Sequence, residues 1–120
     1  MKNQIVWCDI PINDLDRAIK FYSAVLGQAV SKELHGEMNF GLLPHTEGSV
    51  GGCLVKTDDT KPSANGPLIY LNCEDRLDAA IATVETNCGK ILKPKHQIGP
   101  YGFCAVILDS EGNRIALHST

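Results

Sequence analysis

Asp14-Leu15-Asp16-Arg17-Ala18-Ile19-Lys20-Phe21-Tyr22 opens a stretch that runs on to Val25-Leu26-Gly27. Leu15, Asp16, Ala18, Ile19 and Gly27 return as Leu77, Asp78, Ala80, Ile81 and Gly89, each displaced by 62 residues. In both copies a β-like run enters an acidic turn, a helical pattern follows, and a glycine stops it before further extended runs. The chain therefore reads as two copies of one β–α–β unit. Two such sheets can curl around a shared cleft, and a seam between repeats is a natural place for a small ligand.

Working outward, Ile5 to Ile12 alternates and ends at Asn13-Asp14, which can cap a helix over Leu15 to Leu26. Its apolar residues Leu15, Ala18, Ile19, Tyr22, Val25 and Leu26 fall three or four apart, which marks one buried face. Gly27 supplies a left-handed stop. Gln28 to Leu34 and Met38 to Leu43 read as a hairpin across His35-Gly36-Glu37, and Gly51 to Lys56 as a further strand. The first unit is β–α–β–β–β over residues 1–57, and a loop rich in Asp, Pro, Ser and Gly over 58–66 joins it to a second over 67–120. In that second unit Leu68 to Cys73 is a strand, Leu77 to Asn87 a helix ended by Gly89, and Lys90 to Lys93, Phe103 to Leu108 and Asn113 to His118 are strands. The fold class is α+β: two tandem βαβββ modules forming a curled, cleft-bearing mixed sheet within one domain, 1–120.

Composition narrows the function. The chain of 120 residues has 43% hydrophobic and 21% charged residues and a net charge of −3, ordinary values for a soluble domain. No cluster of Lys or Arg offers an electrostatic footprint for nucleic acid. The apolar stretches are strand-sized, and Met1-Lys2-Asn3-Gln4 leads into a strand with no apolar signal region, so neither a membrane partner nor export is expected. Cys8, Cys53, Cys73, Cys88 and Cys104 are odd in number and lack any C-x-x-C pair. They read mostly as free thiols in the core of a cytoplasmic protein.

Pro11-Ile12-Asn13-Asp14-Leu15-Asp16-Arg17-Ala18-Ile19-Lys20-Phe21-Tyr22 with Val25-Leu26-Gly27 closely resembles the N-terminal motif of the glyoxalase/bleomycin-resistance (vicinal oxygen chelate) superfamily. Asp109-Ser110-Glu111-Gly112-Asn113-Arg114-Ile115-Ala116-Leu117 resembles that family's closing motif, so the likeness spans the chain and respects its duplication. The resemblance implies paired βαβββ modules around an open cavity and a homodimer. In the family's metalloenzymes His or Glu at four strand positions hold a divalent ion that chelates two substrate oxygens, as in lactoylglutathione lyases and dioxygenases. Carried over residue by residue, those positions fall on Trp7, on Leu68 or Ile69, on Ala116 and, in Gly51 to Lys56, on Cys53. An indole N–H only donates, and the aliphatic residues offer nothing. A thiol alone makes no centre, and Cys53 reads as buried. No metal and no other cofactor is therefore expected.

If Trp7 faces the cavity, alternation brings Asp9 with it, and Ala116 brings Arg114 and His118. Trp7 then offers a stacking wall, and Asp9, Arg114, His118 and either Asn72 or Tyr70 orient a polar ligand, with Cys53 beside them. Asp9 could equally satisfy a neighbouring backbone N–H, Trp7 and Tyr70 could be plain core, Arg114 a solvated residue at the turn exit, and His118 structural or solvated. His118 is the candidate catalytic base, because histidine is the side chain suited to proton transfer near neutrality. Tyr101, on the Lys95–Gly102 loop, is a candidate lid or partner contact. His35, His45 and His96 fall in expected turns and loops and carry little weight. The reading is a glyoxalase-like homodimer that holds a small organic molecule without metal, as a binding protein or a metal-independent enzyme. Its alternatives are a metal-dependent lyase or dioxygenase, and a structural or regulatory module with a filled cavity.

Overall fold

The computed structural model describes residues 3–120; Met1 and Lys2, with which the first expected unit begins, lie outside the described residues. The order is β1 (Trp7–Pro11), α1 (Leu15–Leu26), β2 (Ser31–His35), β3 (Met38–Leu42), β4 (Gly51–Val55), β5 (Ile69–Asn72), α2 (Leu77–Val84), β6 (Lys90–Gln97), β7 (Phe103–Leu108) and β8 (Arg114–Ser119). Two four-stranded sheets result, ordered β1-β4-β3-β2 and β5-β8-β7-β6. Each is mixed, because β1 pairs parallel with β4 and β5 with β8 while the remaining pairs are antiparallel. β1 is shorter than its alternation suggests, since its one partner strand begins at Gly51, opposite Trp7.

The helices keep to the periodicity at their starts and depart from it at one end. Asp14 accepts the backbone N–H of Arg17 at 3.1 Å and so caps α1, which Gly27 closes in the left-handed region at φ 68°. α2 ends early, at Val84, and a 3-10 turn over Glu85–Asn87 continues it. There the Thr83 hydroxyl and the Asn87 amide bond to carbonyls of the preceding turn, an alternative to the helical ladder. Cys88, not Gly89, takes the left-handed position, at φ 73°. Gly89 is required for a different reason: a Cβ there would lie 2.6 Å from Cε2 of Phe21 and 2.7 Å from the Leu108 carbonyl. Gly89→Ala is expected to cost about 1–3 kcal/mol through overpacking, read as a lower urea midpoint; an unchanged midpoint would refute the close approach.

One core unites the molecule. Ile10, Ile12, Phe21, Tyr22, Val25 and Leu54 of the first half and Leu77, Ala80, Val84, Ile107, Ile115 and Leu117 of the second form a single buried cluster, with α1 packed on α2. Each large side chain so buried contributes about 1.5–3 kcal/mol. Strand alternation then assigns the other face of each sheet. Ile115 and Leu117 enter the core, so Arg114, Ala116 and His118 share the opposite face with Tyr70 and Asn72, their neighbours across β5. In the first sheet Trp7 and Asp9 share that face with Cys53, which stands opposite Asp9.

The connection into α2 also resolves the one-residue ambiguity of the repeat. Cys73, like Ile12, is buried at the end of its strand, but Glu74, Asp75 and Arg76 follow it where only Asn13 and Asp14 follow Ile12. Asp75 absorbs the extra residue in the left-handed region, at φ 63°. Ile69 consequently packs toward the core, and Leu68 has the parity of Trp7.

Candidate functional site

A cavity lies along the edges of β1 and β5, each of which pairs with one strand only among the described residues. Its volume is about 550 Å³, within the range of small-molecule sites. Cys8, Ile10, Leu26, Leu43, Ile69 and Leu71 give it apolar walls; Gln28, His45, Thr46, Ser49, Tyr70 and Asn72 bring polar groups. Of the residues singled out from sequence, Tyr70 and Asn72 line it directly. Asn72 uses its side-chain oxygen to accept the Glu74 backbone N–H at 2.9 Å, which turns its amide N–H groups away from that turn.

Trp7, Asp9 and Cys53 form one group beside the cavity. Trp7 Nε1 donates to Asp9 Oδ1 at 2.9 Å, and Cys53 Sγ donates to the same oxygen at 3.3 Å. Burial first, and then the Asp9 carboxylate, push the Cys53 thiol up to about 11, so it is a protonated donor at neutral pH rather than a nucleophile. The indole lies across Gly51. A Cβ on that glycine would sit 2.9 Å from Cζ3 of Trp7 and 3.5 Å from Cδ2 of His45, so the two rings flank a cavity-lining glycine whose enlargement would displace the indole. His45 is thus part of the cavity wall, and its Nδ1 lies 3.3 Å from the Leu43 carbonyl.

Tyr70, His118 and Tyr101 form a second group. The Tyr70 and His118 rings meet edge to face with centroids 6.4 Å apart. His118 Nε2 lies 2.6 Å from the Tyr101 carbonyl, so Nε2 carries the proton and a neutral ring keeps Nδ1 as the basic atom. Tyr101 itself, in a 3-10 turn over Gly99–Tyr101, is 73% exposed. No hydrogen bond or aromatic contact among the described residues joins this group to Trp7, Asp9 and Cys53, and neither Trp7 nor His118 lines the cavity. Arg114 stands on the face of Tyr70 and His118, with its Nε buried and without a hydrogen-bond partner.

Two histidines expected in loops stand on strands. His35 ends β2 opposite Met38, and its ring stacks on Phe40. His96 lies within β6, which continues past the expected end at Lys93 because Pro94 falls in an irregular stretch of an edge strand, where a missing N–H costs no ladder bond. His96 Nδ1 lies 2.8 Å from the Pro94 carbonyl and its Nε2 3.4 Å from Cys104 Sγ, directly across the ladder. The Nδ1 contact fixes the tautomer, so the thiol donates. Cys104 also stands opposite His118, which lies opposite Asn72. His96, Cys104, His118 and Asn72 therefore make one rung across the second sheet, which alternation would have revealed once β6 was extended beyond Pro94.

A divalent ion of the kind the resemblance implies does not fit these residues. Trp7 spends its N–H on Asp9, Leu68 and Ala116 have no donor atom, and Cys53 holds its proton against Asp9. Among the described residues no three of His, Cys, Asp or Glu gather to hold a metal. No helix among them is long and apolar enough to cross a membrane.

No curated protein matches the sequence. Among solved structures, a glyoxalase/bleomycin resistance protein from Albidiferax ferrireducens T118 superposes with a TM-score of 0.78 at 18% identity, over 98% of this chain and 99% of that one. A superfamily member from Sphaerobacter thermophilus DSM 20745 gives 0.69 at 22% identity, over 98% of both chains. A glyoxalase I variant from Zea mays gives 0.74 at 19% identity, over 95% of this chain and 45% of that one. At these identities the likeness shows a shared fold. The family model itself matches residues 4–117, and the chain belongs to the Glyoxalase/Bleomycin resistance protein/Dioxygenase superfamily.

Proposed function

We propose that the chain binds a small organic molecule in the cavity along β1 and β5 and holds it without a metal ion, as a binding protein or a metal-independent enzyme. The observation that carries this reading is the cavity of about 550 Å³ whose apolar walls are interrupted by Tyr70, Asn72 and His45, a lining that suits an aromatic or aliphatic body bearing a few polar groups. Trp7 borders it through Gly51, and Tyr70 links it to the face that carries Arg114 and His118. In the enzymatic form of the reading His118 is the base, through Nδ1. The protein works as a homodimer, for Trp7, Met38, Tyr70 and Tyr101 are 45%, 65%, 53% and 73% exposed on a chain whose β1 and β5 edges are unpaired, surfaces that a second copy would cover. Free thiols fit a cytoplasmic setting.

The test is native mass spectrometry of the purified protein, followed by binding of whatever organic ligand is retained, with Trp7 fluorescence as the readout. A dimer carrying an organic ligand is expected, with Tyr70→Phe weakening binding several-fold through loss of one hydrogen bond of about 0.5–1.5 kcal/mol. Addition of Ni²⁺, Zn²⁺ or Mn²⁺ is expected to leave the melting temperature unchanged, whereas saturation of a true site at a hundred times its Kd would add about 2.7 kcal/mol. A monomer that retains nothing and is stabilised by one of these ions would replace this reading with the metal-dependent one.

A further inference from the structure

The side-chain carbon of an asparagine can be attacked by the backbone nitrogen of the residue that follows it. The ring closes most readily where that residue is glycine, because no Cβ crowds the approach and the backbone turns freely. In this chain only Asn65 is followed by glycine, and the fold singles out the same place. Elsewhere the nitrogen that would attack is engaged. The Asp14 N–H after Asn13 donates to Glu111 Oε1 at 2.8 Å, the Cys73 N–H after Asn72 to the His118 carbonyl at 2.8 Å, and the Cys88 N–H after Asn87 to the Glu85 carbonyl at 3.4 Å. Asn39 lies inside β3, and Asn113 is 6% exposed, with its side-chain amide donating to Pro11 and Asp109. Asn65 and Gly66 are both exposed, in the loop between β4 and β5 that joins the halves. The Ser63 N–H donates to the Asn113 side-chain oxygen at 3.1 Å and the Asn65 N–H to the Ser63 hydroxyl at 3.0 Å, so the loop is moored just upstream. Past that mooring no protein group among the described residues restrains the Asn65 side chain or the Gly66 N–H, and a Cβ on Gly66 would meet nothing within 4 Å.

We propose that Asn65-Gly66 is a site of spontaneous backbone modification. The Gly66 nitrogen gives its proton to hydroxide and bonds to Asn65 Cγ; the Cγ–Nδ2 bond breaks, and Nδ2 takes a proton from water and leaves as ammonia. Water then opens the resulting succinimide. Opening on the side-chain side gives aspartate, and opening on the main-chain side gives isoaspartate, in which the backbone is longer by a methylene. Nothing is oxidised or reduced, since the net change is amide and water to carboxylate and ammonium. Either product adds a negative charge to the loop that leads through Pro67 into β5, the strand whose Tyr70 and Asn72 line the cavity.

The test is peptide mapping by mass spectrometry of the whole protein held at mildly alkaline pH in heavy-oxygen water, beside a free peptide of residues 63–68. Conversion is expected at Asn65 alone, with uptake of heavy oxygen, at a rate proportional to hydroxide concentration and within a few-fold of that of the peptide. Gly66 lies outside the left-handed region and has open space around it, so Gly66→Ala leaves the fold intact. It should slow conversion at least roughly tenfold, equivalent to about 1.4 kcal/mol in the barrier. Asn65→Gln, which would have to close a larger ring, should abolish conversion over the same interval. Melting curves confirm that both variants fold. A protein that keeps its Asn65 amide while the peptide converts overturns the site, because the loop would then be held where the ring cannot close. Equal conversion at Asn3 or Asn39 overturns the selectivity assigned to the fold.

Discussion

Asp109→Ala is expected to remove about 3–5 kcal/mol of stability, because it leaves several buried donors without their acceptor at about 1–3 kcal/mol each. Asp109 is 2% exposed and uses both carboxylate oxygens. Oδ1 accepts the backbone N–H groups of Glu111 and Asn113 at 2.8 and 2.9 Å, which shapes the turn between β7 and β8. Oδ2 accepts the hydroxyl of Tyr22 at 2.5 Å and the Asn113 amide at 2.9 Å. Truncation leaves the buried Tyr22 hydroxyl and two turn N–H groups without their acceptor, and each orphaned group bears its own desolvation cost. For a domain of this size the melting temperature should fall by roughly 10–20 °C. Because a domain holds only about 5–15 kcal/mol in total, Tyr22→Phe is the companion variant: it removes one donor, leaves Asp109 bonded to the turn, and should cost about 1 kcal/mol. A drop of less than about 1 kcal/mol for Asp109→Ala in urea unfolding would show that the turn and the helix contact do not depend on this carboxylate.

Tyr22 belongs to α1 and Asp109 to the turn before β8, so the two stretches of sequence that carry the family likeness meet in space and clasp the halves together. Asn113 extends the clasp to the Pro11 carbonyl at 2.8 Å. These motifs announced the fold because they build it, and for the same reason they say little about chemistry. The helices and hairpins were legible because period, cap and turn residues agreed at each position, as with Asp14 and Gly27 around α1. The misreadings lie where tertiary structure overrode a local signal. Pro94 looks like a strand end until β6 is seen to be an edge, and Gly89 looks like a helix stop until Phe21 is seen to press on it.

The site was less legible than the fold. Alternation correctly put Asp9 beside Trp7 on β1 and His118 beside Arg114 on β8, since the period of a strand is fixed by its geometry. Whether those two faces serve one ligand depends on how the sheets are set against each other, which no local pattern encodes. His45 carries little weight in the sequence because its place in the cavity wall comes from a loop path, in which residues after β3 fold back until the ring reaches Gly51.

Acid should weaken the protein through Glu111 within a defined window. This carboxylate belongs to the turn before β8 yet sits at the start of α1, where Oε1 accepts the N–H groups of Asn13 and Asp14, each at 2.8 Å. Oε2 meets Arg17 Nε at 2.7 Å and the Ser110 hydroxyl at 2.8 Å. Burial alone would raise its pKa, but the Arg17 bond and the backbone and hydroxyl donors together outweigh that and hold the carboxyl at about 2, below the ordinary 4.5. A carboxyl depressed in the folded state stabilises the fold at pH above its unfolded value, and the contribution fades as pH falls from 4.5 through about 2. The Glu111 side chain is 0% exposed and that of Arg17 42%, so solvent screening at the arginine end trims the full linkage value to about 2 kcal/mol. Glu111→Gln keeps the shape and removes the charge. It should lower stability at pH 7 by about that amount and flatten the acid limb, with the two proteins converging as pH approaches 2. Urea midpoints measured every half unit from pH 7 to 2 decide the matter: parallel curves for wild type and variant would mean that the acid sensitivity comes from other carboxylates and that Glu111 does not cap α1 as a charge.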